Sequence, residues 1–315
     1  MALAHFRSVT DLTPAQIAET LELAHDVKVN PGKYRTALAG QTLAMIFQKK
    51  STRTRVSFEV GMYQLGGHAL FLSSADIQIG RGETIADTSR VISRYCQGIM
   101  ARVYGHEVIE ELAQFATVPV INGLSDLEHP CQTLCDAQTL VEQWSPKGTF
   151  DVGVLKGKTL VYVGDGNNMA HSLLDTGAAL GMNVTIVAPL GYWPDPKIVD
   201  RAQALGAQTG ARIAVTGDVN LGVMGADCIY TDVWASMGQE SEQQKRLKDF
   251  HGFMVDAGMM ARANTGCVFM HCLPAHRGEE VSAEVCDSPV SIIFDQAENR
   301  LHIQKAIMLR LMAKS

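Results

Sequence analysis

No run of apolar residues in this chain reaches the roughly 20 needed to cross a bilayer, and no block of like charge stands out. The first absence argues against a membrane span. The second, with a net charge of −6, argues against broad nucleic-acid binding. An anionic small substrate stays open, because a local cluster of cations decides that. A disulfide scaffold is equally disfavoured: the seven cysteines are scattered and odd in number, which fits a reducing compartment. The opening segment Met-Ala-Leu-Ala-His-Phe-Arg-Ser lacks the long apolar core of a secretory signal, so a cytoplasmic location is expected. Metal-type spacing is missing around Cys272, and the group His129, Cys131 and Cys135 is no better. The loop Val163-Gly-Asp-Gly-Asn-Asn-Met169 begins like a dinucleotide fingerprint, but Met169 stands where the third glycine belongs. The next strand closes on Val187-Ala188-Pro189 with no acidic residue. Neither a metal nor an organic cofactor is expected.

What is present is a long alternation of strand and helix signals. With 315 residues, 46% of them hydrophobic, the chain is large enough for two domains. Thr13 and Pro14 open a first helix as cap and first position. Strands are predicted at Thr42–Phe47, His68–Leu72, Ile99–Arg102 and Pro119–Asn122, with helices at Arg55–Leu65, Thr84–Tyr95, Val108–Phe115 and Leu134–Trp144. The polar stretch Ser145–Gly157 marks a boundary. A second series follows, with strands at Thr159–Val163, Val184–Ala188, Ile213–Thr216, Cys228–Thr231 and Cys267–Leu273. Its helices fall at His171–Leu180, Lys197–Leu205 and Gln243–Phe250. Such alternation predicts an α/β protein of two doubly wound parallel-sheet domains, 1–145 and 146–297. The final helix, 298–315, has nothing after it to pack against and is expected to return to the first domain.

The chemistry centres on Gln48-Lys-Lys-Ser-Thr-Arg-Thr-Arg55, which follows the apolar run Leu43–Phe47 and opens a helix. Ser51 is a good N-cap, and the first helical N–H groups and the helix dipole favour an anion. Arg53 and Arg55 add charged forks, and Thr52 and Thr54 add hydroxyl donors. This is a phosphate cradle made without a glycine-rich loop; the bland alternative is a capped helix with a solvated basic turn. His129-Pro-Cys-Gln132 precedes another helix. His129 can donate to an oxygen, and Gln132 offers a donor and an acceptor suited to an amide or carbamoyl group, or else the pair is a capping histidine beside a surface glutamine. Arg102 ends a strand and either faces a ligand crevice or is a surface charge. Asp232 ends another strand and can pair with an ammonium group or merely cap a loop. Ser236-Met-Gly238 follows it as a mobile loop. His271-Cys-Leu-Pro274 closes a further strand, where Cys272 is a nucleophile or metal ligand by type, and Pro274 fixes the chain after Leu273.

Together these residues resemble the transcarbamoylase family, and its ornithine branch in particular. Ser51-Thr-Arg-Thr-Arg55 and His129-Pro-Cys-Gln132 resemble the two motifs shared across that family. Asp232 with Ser236-Met-Gly238, and His271-Cys-Leu-Pro274, resemble the ornithine branch. The resemblance covers nearly the whole chain. It implies carbamoyl transfer from carbamoyl phosphate to the δ-amine of L-ornithine, without a cofactor, in a homotrimer or assembly of trimers with sites at subunit interfaces. It implies that Ser51, Thr52, Arg53 and Thr54 bind carbamoyl phosphate, that Arg102, His129 and Gln132 hold the carbamoyl group, and that Gln78 reaches in from a neighbouring subunit. Cys272, the Leu273 carbonyl and Arg300 complete that pocket. Asn168, Asp232, Ser236 and Met237 bind ornithine. Arg53, Arg102, His129 and Cys272 form the catalytic set, with Cys272 beside the amine and not acting as a nucleophile. A different amine acceptor, such as putrescine or an acylated ornithine, and a non-catalytic homologue are the other readings.

Overall fold

A computed structural model describes residues 4–79, 82–235 and 240–313. Ser236 and Met237 therefore lie outside the described residues. The chain forms two compact units: Met1–Gln138 with Glu298–Ser315, and Thr139–Ala297. The strands are β1 Thr42–Phe47, β2 His68–Ser73, β3 Gly98–Arg102, β4 Val120–Leu124, β5 Thr159–Val163, β6 Asn183–Val187, β7 Ile213–Thr216, β8 Cys228–Thr231 and β9 Val268–His271. The helices are α1 Pro14–Val29, α2 Thr52–Gln64, α3 Ile85–Tyr95, α4 His106–Phe115, α5 Pro130–Trp144, α6 Asn168–Leu180, α7 Pro196–Thr209, α8 Val219–Val223, α9 Gln243–Asp249, α10 Ala257–Met260, α11 Ala283–Cys286 and α12 Ile293–Met312. Short 3-10 turns link several of them. Among the described residues, no helix is long and apolar enough to cross a membrane.

The first sheet runs β2-β1-β3-β4 and the second β7-β6-β5-β8-β9, with every strand pair parallel. Helices are needed to return the chain between parallel strands, and they cover the sheet faces. The burial follows: Leu43 to Phe47 of β1 and Leu160 to Val163 of β5 are inside, as continuous apolar runs predict. Strand order reverses between β1 and β3 in unit 1, and between β5 and β8 in unit 2. At such switch points the loops leaving the strand ends part and open a crevice. Phe47 is in register with Arg102 at the first, and Val163 with Thr231 at the second.

α12 packs in unit 1. Gly61 of α2 is the close approach, since a Cβ there would meet Met308 Cε at 3.0 Å and Lys305 Cγ at 3.3 Å. Lys305 Nζ donates to Gln64 Oε1 at 2.9 Å, and Gln41 Nε2 to the Met312 carbonyl at 3.0 Å. The helix begins at Ile293, earlier than the sequence pattern suggests. β9 is shorter than the predicted Cys267–Leu273. It stops at His271 because Leu273 adopts φ 60°, in the left-handed region, before a cis Leu273–Pro274 bond.

Candidate active site

The first switch point gathers side chains from four elements of unit 1. Ser51 caps α2, its Oγ accepting the Thr54 N–H at 3.1 Å. That bond fixes the first turn, with Thr52 exposed, Arg53 half-buried and Thr54 buried. Arg102 is buried at the end of β3, and its Nη1 lies 3.4 Å from Thr54 Oγ1. Arg300 is buried on α12 and sends Nη2 to the same hydroxyl at 3.3 Å and Nη1 to Gln132 Oε1 at 2.5 Å. His129, at the start of α5, is also buried. Its pKa is held well below 6.5, first by burial and then by Arg300, Arg102 and Arg53. The imidazole is therefore neutral near pH 7, with one ring N–H able to donate.

Three residues complete this cluster that motif reading did not single out. Gln132 Nε2 donates to the buried Asp136 at 2.7 Å. Gln304, fully buried one turn beyond Arg300, places its amide oxygen 2.9 Å from Arg300 Nη2 and 3.2 Å from Nε when its amide is oriented to satisfy both ends. Its nitrogen then donates to Ser57 Oγ at 2.5 Å, and Ser57 in turn donates to the Arg53 carbonyl at 2.6 Å. Each stands four residues from a motif residue on the same helix, and that spacing was the available signal. Gln78 is exposed on the loop after β2, outside this hydrogen-bonded set.

The second switch point lies in unit 2. Asn167 caps α6 through Met169 N–H, which places Asn168 at the first helical position. Asp232 is buried just past β8, its Oδ1 taking the Val233 N–H at 2.8 Å. Donor atoms of Asp232, His271 and Cys272 all lie within 4.8 Å of one another. That trio has the atom types of a metal site, but both ring nitrogens of His271 are committed. Nδ1 accepts the Leu273 N–H at 2.8 Å, so Nε2 carries the proton and donates to buried Glu280 at 3.0 Å. The pair fixes the turn that carries Cys272 and Leu273. A second group, His276, Glu279 and Glu280, sits on the following loop and is partly exposed. Tyr162 of β5 brings a buried hydroxyl with no hydrogen-bond partner among the described residues; burial, then Asp232, Asp165 and Cys272, push its pKa well up.

Residues 4–142 match the carbamoyl-P binding domain of aspartate/ornithine carbamoyltransferase, and residues 156–311 match the Asp/Orn binding domain. The chain belongs to the aspartate/ornithine carbamoyltransferase family. Within that family it is 53% identical to the ornithine carbamoyltransferase of Thermococcus kodakarensis, over 96% of this chain and 94% of that one. It is 54% identical to the anabolic ornithine carbamoyltransferase of Pyrococcus furiosus, with the same coverage. The solved ornithine carbamoyltransferase structure from Pyrococcus furiosus superposes with a TM-score of 0.93 at 52% identity, covering 100% of this chain and 99% of that one. The Giardia lamblia ornithine transcarbamoylase structure gives 0.90 at 36% identity, covering 99% of each chain. The cationic cluster falls in the segment matched to the family's carbamoyl-P domain, apart from Arg300 and Gln304, which α12 returns to unit 1.

Proposed function

We propose that the chain transfers the carbamoyl group of carbamoyl phosphate to the δ-amine of L-ornithine, giving L-citrulline and phosphate. The observation that carries this reading is the meeting of Thr54, Arg102, His129, Gln132 and Arg300 at one strand-end crevice, with the α2 N-terminus beside them. The guanidinium groups of Arg102 and Arg300, with that of Arg53 in the first turn of α2 and the helix terminus, suit a phosphate. A neutral imidazole, a hydroxyl and an amide suit the uncharged carbamoyl end. The names of the relatives support ornithine as acceptor, and the anabolic Pyrococcus furiosus relative favours citrulline synthesis for arginine.

In this reading the neutral δ-amine attacks the carbamoyl carbon. Charge develops on the carbonyl oxygen, where Thr54, Arg102 and the neutral His129 donate hydrogen bonds that strengthen as the oxyanion forms. As the bond between the carbamoyl carbon and the bridging oxygen breaks, that oxygen leaves with the phosphate, and Arg53 and the α2 N–H groups take up the growing phosphate charge. The amine proton leaves with a phosphate oxygen. Ser51 and Thr52 hold the phosphate end, while Cys272 and Leu273 line the amine side. Asp232 pairs with the α-ammonium, with Asn168, Ser236 and Met237 as further ornithine contacts.

A homotrimer, or an assembly of trimers, is part of the same proposal. Val56, Val60 and Tyr63 form an exposed apolar stripe along α2, and β2 is an edge strand exposing Leu70. Such an edge invites a protein partner, and Gln78 follows it directly. The test is citrulline formation from carbamoyl phosphate with ornithine, putrescine and an acylated ornithine, together with the mass of the assembly by light scattering. Turnover that strongly favours ornithine, with only a weak putrescine rate, in a trimer is expected. Preference for another amine removes ornithine as the acceptor, and an active monomer removes the shared site.

A further inference from the structure

Both ends of the Gln132 amide are committed inside unit 1. Its Nε2 donates to Asp136 Oδ1 at 2.7 Å, and its Oε1 accepts from Arg300 Nη1 at 2.5 Å. Both Gln132 and Asp136 are 1% exposed, one turn apart on α5. A side-chain amide has two orientations of nearly equal shape and opposite chemistry: one presents an acceptor, the other presents donors. The Asp136 oxygen accepts from the amide nitrogen, so it selects the orientation that puts nitrogen toward itself and oxygen toward Arg300. A carbonyl oxygen has two lone pairs. Arg300 takes one, and the other is left for an N–H.

We propose that Asp136 is a positioning residue that holds the Gln132 oxygen toward the carbamoyl nitrogen, and thereby sets the preference for carbamoyl phosphate over acyl phosphates. The proposal rests on the carbamoyl-transfer reading above. Acetyl phosphate has the same phosphate and carbonyl, with a methyl group where carbamoyl phosphate has an amino group. The cradle made by Ser51, Arg53 and the α2 terminus treats the two alike. Only the atom facing the amino or methyl group tells them apart. An acceptor there rewards the amino group, and a rotated amide would set donor against donor. A site with a fixed hydrogen-bonding group rejects an analogue lacking the partner far better than a site recognising shape alone.

The experiment titrates carbamoyl phosphate, acetyl phosphate and inorganic phosphate calorimetrically, at low temperature, into the wild type, Asp136→Ala, Asp136→Asn and both variants combined with Gln132→Ala. Asp136→Ala should weaken carbamoyl phosphate by about 10- to 100-fold while acetyl phosphate and inorganic phosphate stay within about twofold. Asparagine keeps an oxygen that can take the same N–H, so Asp136→Asn should recover most of the preference. On a Gln132→Ala background, Asp136→Ala should add nothing further. Equal loss for all three anions means that Asp136 supports only the fold of α5, and overturns the proposal. So does an Asn variant as impaired as the Ala variant, which would make charge the operative property. A wild type with no preference for carbamoyl phosphate overturns the carbamoyl-transfer reading itself. A preference that survives in Asp136→Ala overturns the role of Asp136 alone.

Discussion

Arg300 and Gln132 are 168 residues apart in the chain, and their side chains meet at 2.5 Å. The guanidinium also reaches Thr54, 246 residues away in sequence. One buried cation thus joins the first turn of α2 to the first turn of α5.

Arg53→Ala should abolish most carbamoyl-phosphate binding in a folded protein. Arg53 is the half-buried cation of the cradle's first turn and one of three guanidinium groups that act on His129. Losing a charge-assisted contact of ~2–4 kcal/mol corresponds to roughly 30- to 1,000-fold. Steady-state kinetics with varied carbamoyl phosphate check it; near-normal turnover would remove the cradle from the mechanism.

His129 should make the protein acid-labile. Its folded pKa lies well below the ordinary 6.5, through burial and three neighbouring arginines. Below pH 6.5 the unfolded chain binds a proton that the folded chain refuses, so stability falls as pH drops toward the folded value. Above that window the group contributes no pH dependence. Urea unfolding of the wild type and of His129→Asn between pH 7.5 and pH 4.5 tests this. The wild-type slope should exceed the variant's by up to about 1.4 kcal/mol per pH unit. Parallel slopes would assign the acid lability to other groups.

Asp232→Asn should separate ornithine from putrescine. The buried carboxylate at the end of β8 is the proposed partner of the α-ammonium, which putrescine lacks. Leaving that cation unpaired costs ~3–5 kcal/mol, or roughly 100- to several-thousand-fold in kcat/KM for ornithine. The weak putrescine rate should fall far less. Equal losses would mean that Asp232 orders its loop, as its bond to the Val233 N–H already does, and does not read the amino acid.

Gln78 should act across a subunit boundary. It is exposed on the loop after edge strand β2. Mixing inactive Gln78→Ala and Arg53→Ala proteins, then dissociating and reassembling them, should restore activity at interfaces that carry neither lesion. Verified hybrids with no recovery would mean that each site is complete in one chain.

Much of this was legible in the residues. Alternation located the nine strands of the described residues to within a few positions: central strands such as β1 and β5 are buried apolar runs, and the edge strands β2 and β7 are only partly buried. Ser51 as cap and Arg102 at a strand end follow from local rules. What local rules do not contain is which strand ends become neighbours. β1 and β3 adjoin because the chain order reverses there, and that reversal brings Phe47 and Arg102 into register. Asp136, Gln304 and Glu280 escaped notice because each acts on another protein group: an amide, a guanidinium, an imidazole. Their residue types signal nothing by themselves. The left-handed turn at Leu273 was equally hidden, since a non-glycine residue enters that region only where surrounding contacts fix it, here the His271 ring holding its N–H.

Helix α12 reaches unit 1 only after the whole of Thr139–Ala297 has intervened. Closing so long a loop is entropically unfavourable and slow, and most contacts of the first sheet can form before it happens. The anion site therefore takes one of its cations from the far end of the chain, since Arg300 meets Thr54 and Lys305 meets Gln64 only where α12 lies against α2. A phosphate-bearing ligand that touches both the α2 turn and Arg300 would favour the docked position of α12 by mass action, and so act as a thermodynamic latch on the chain's last helix.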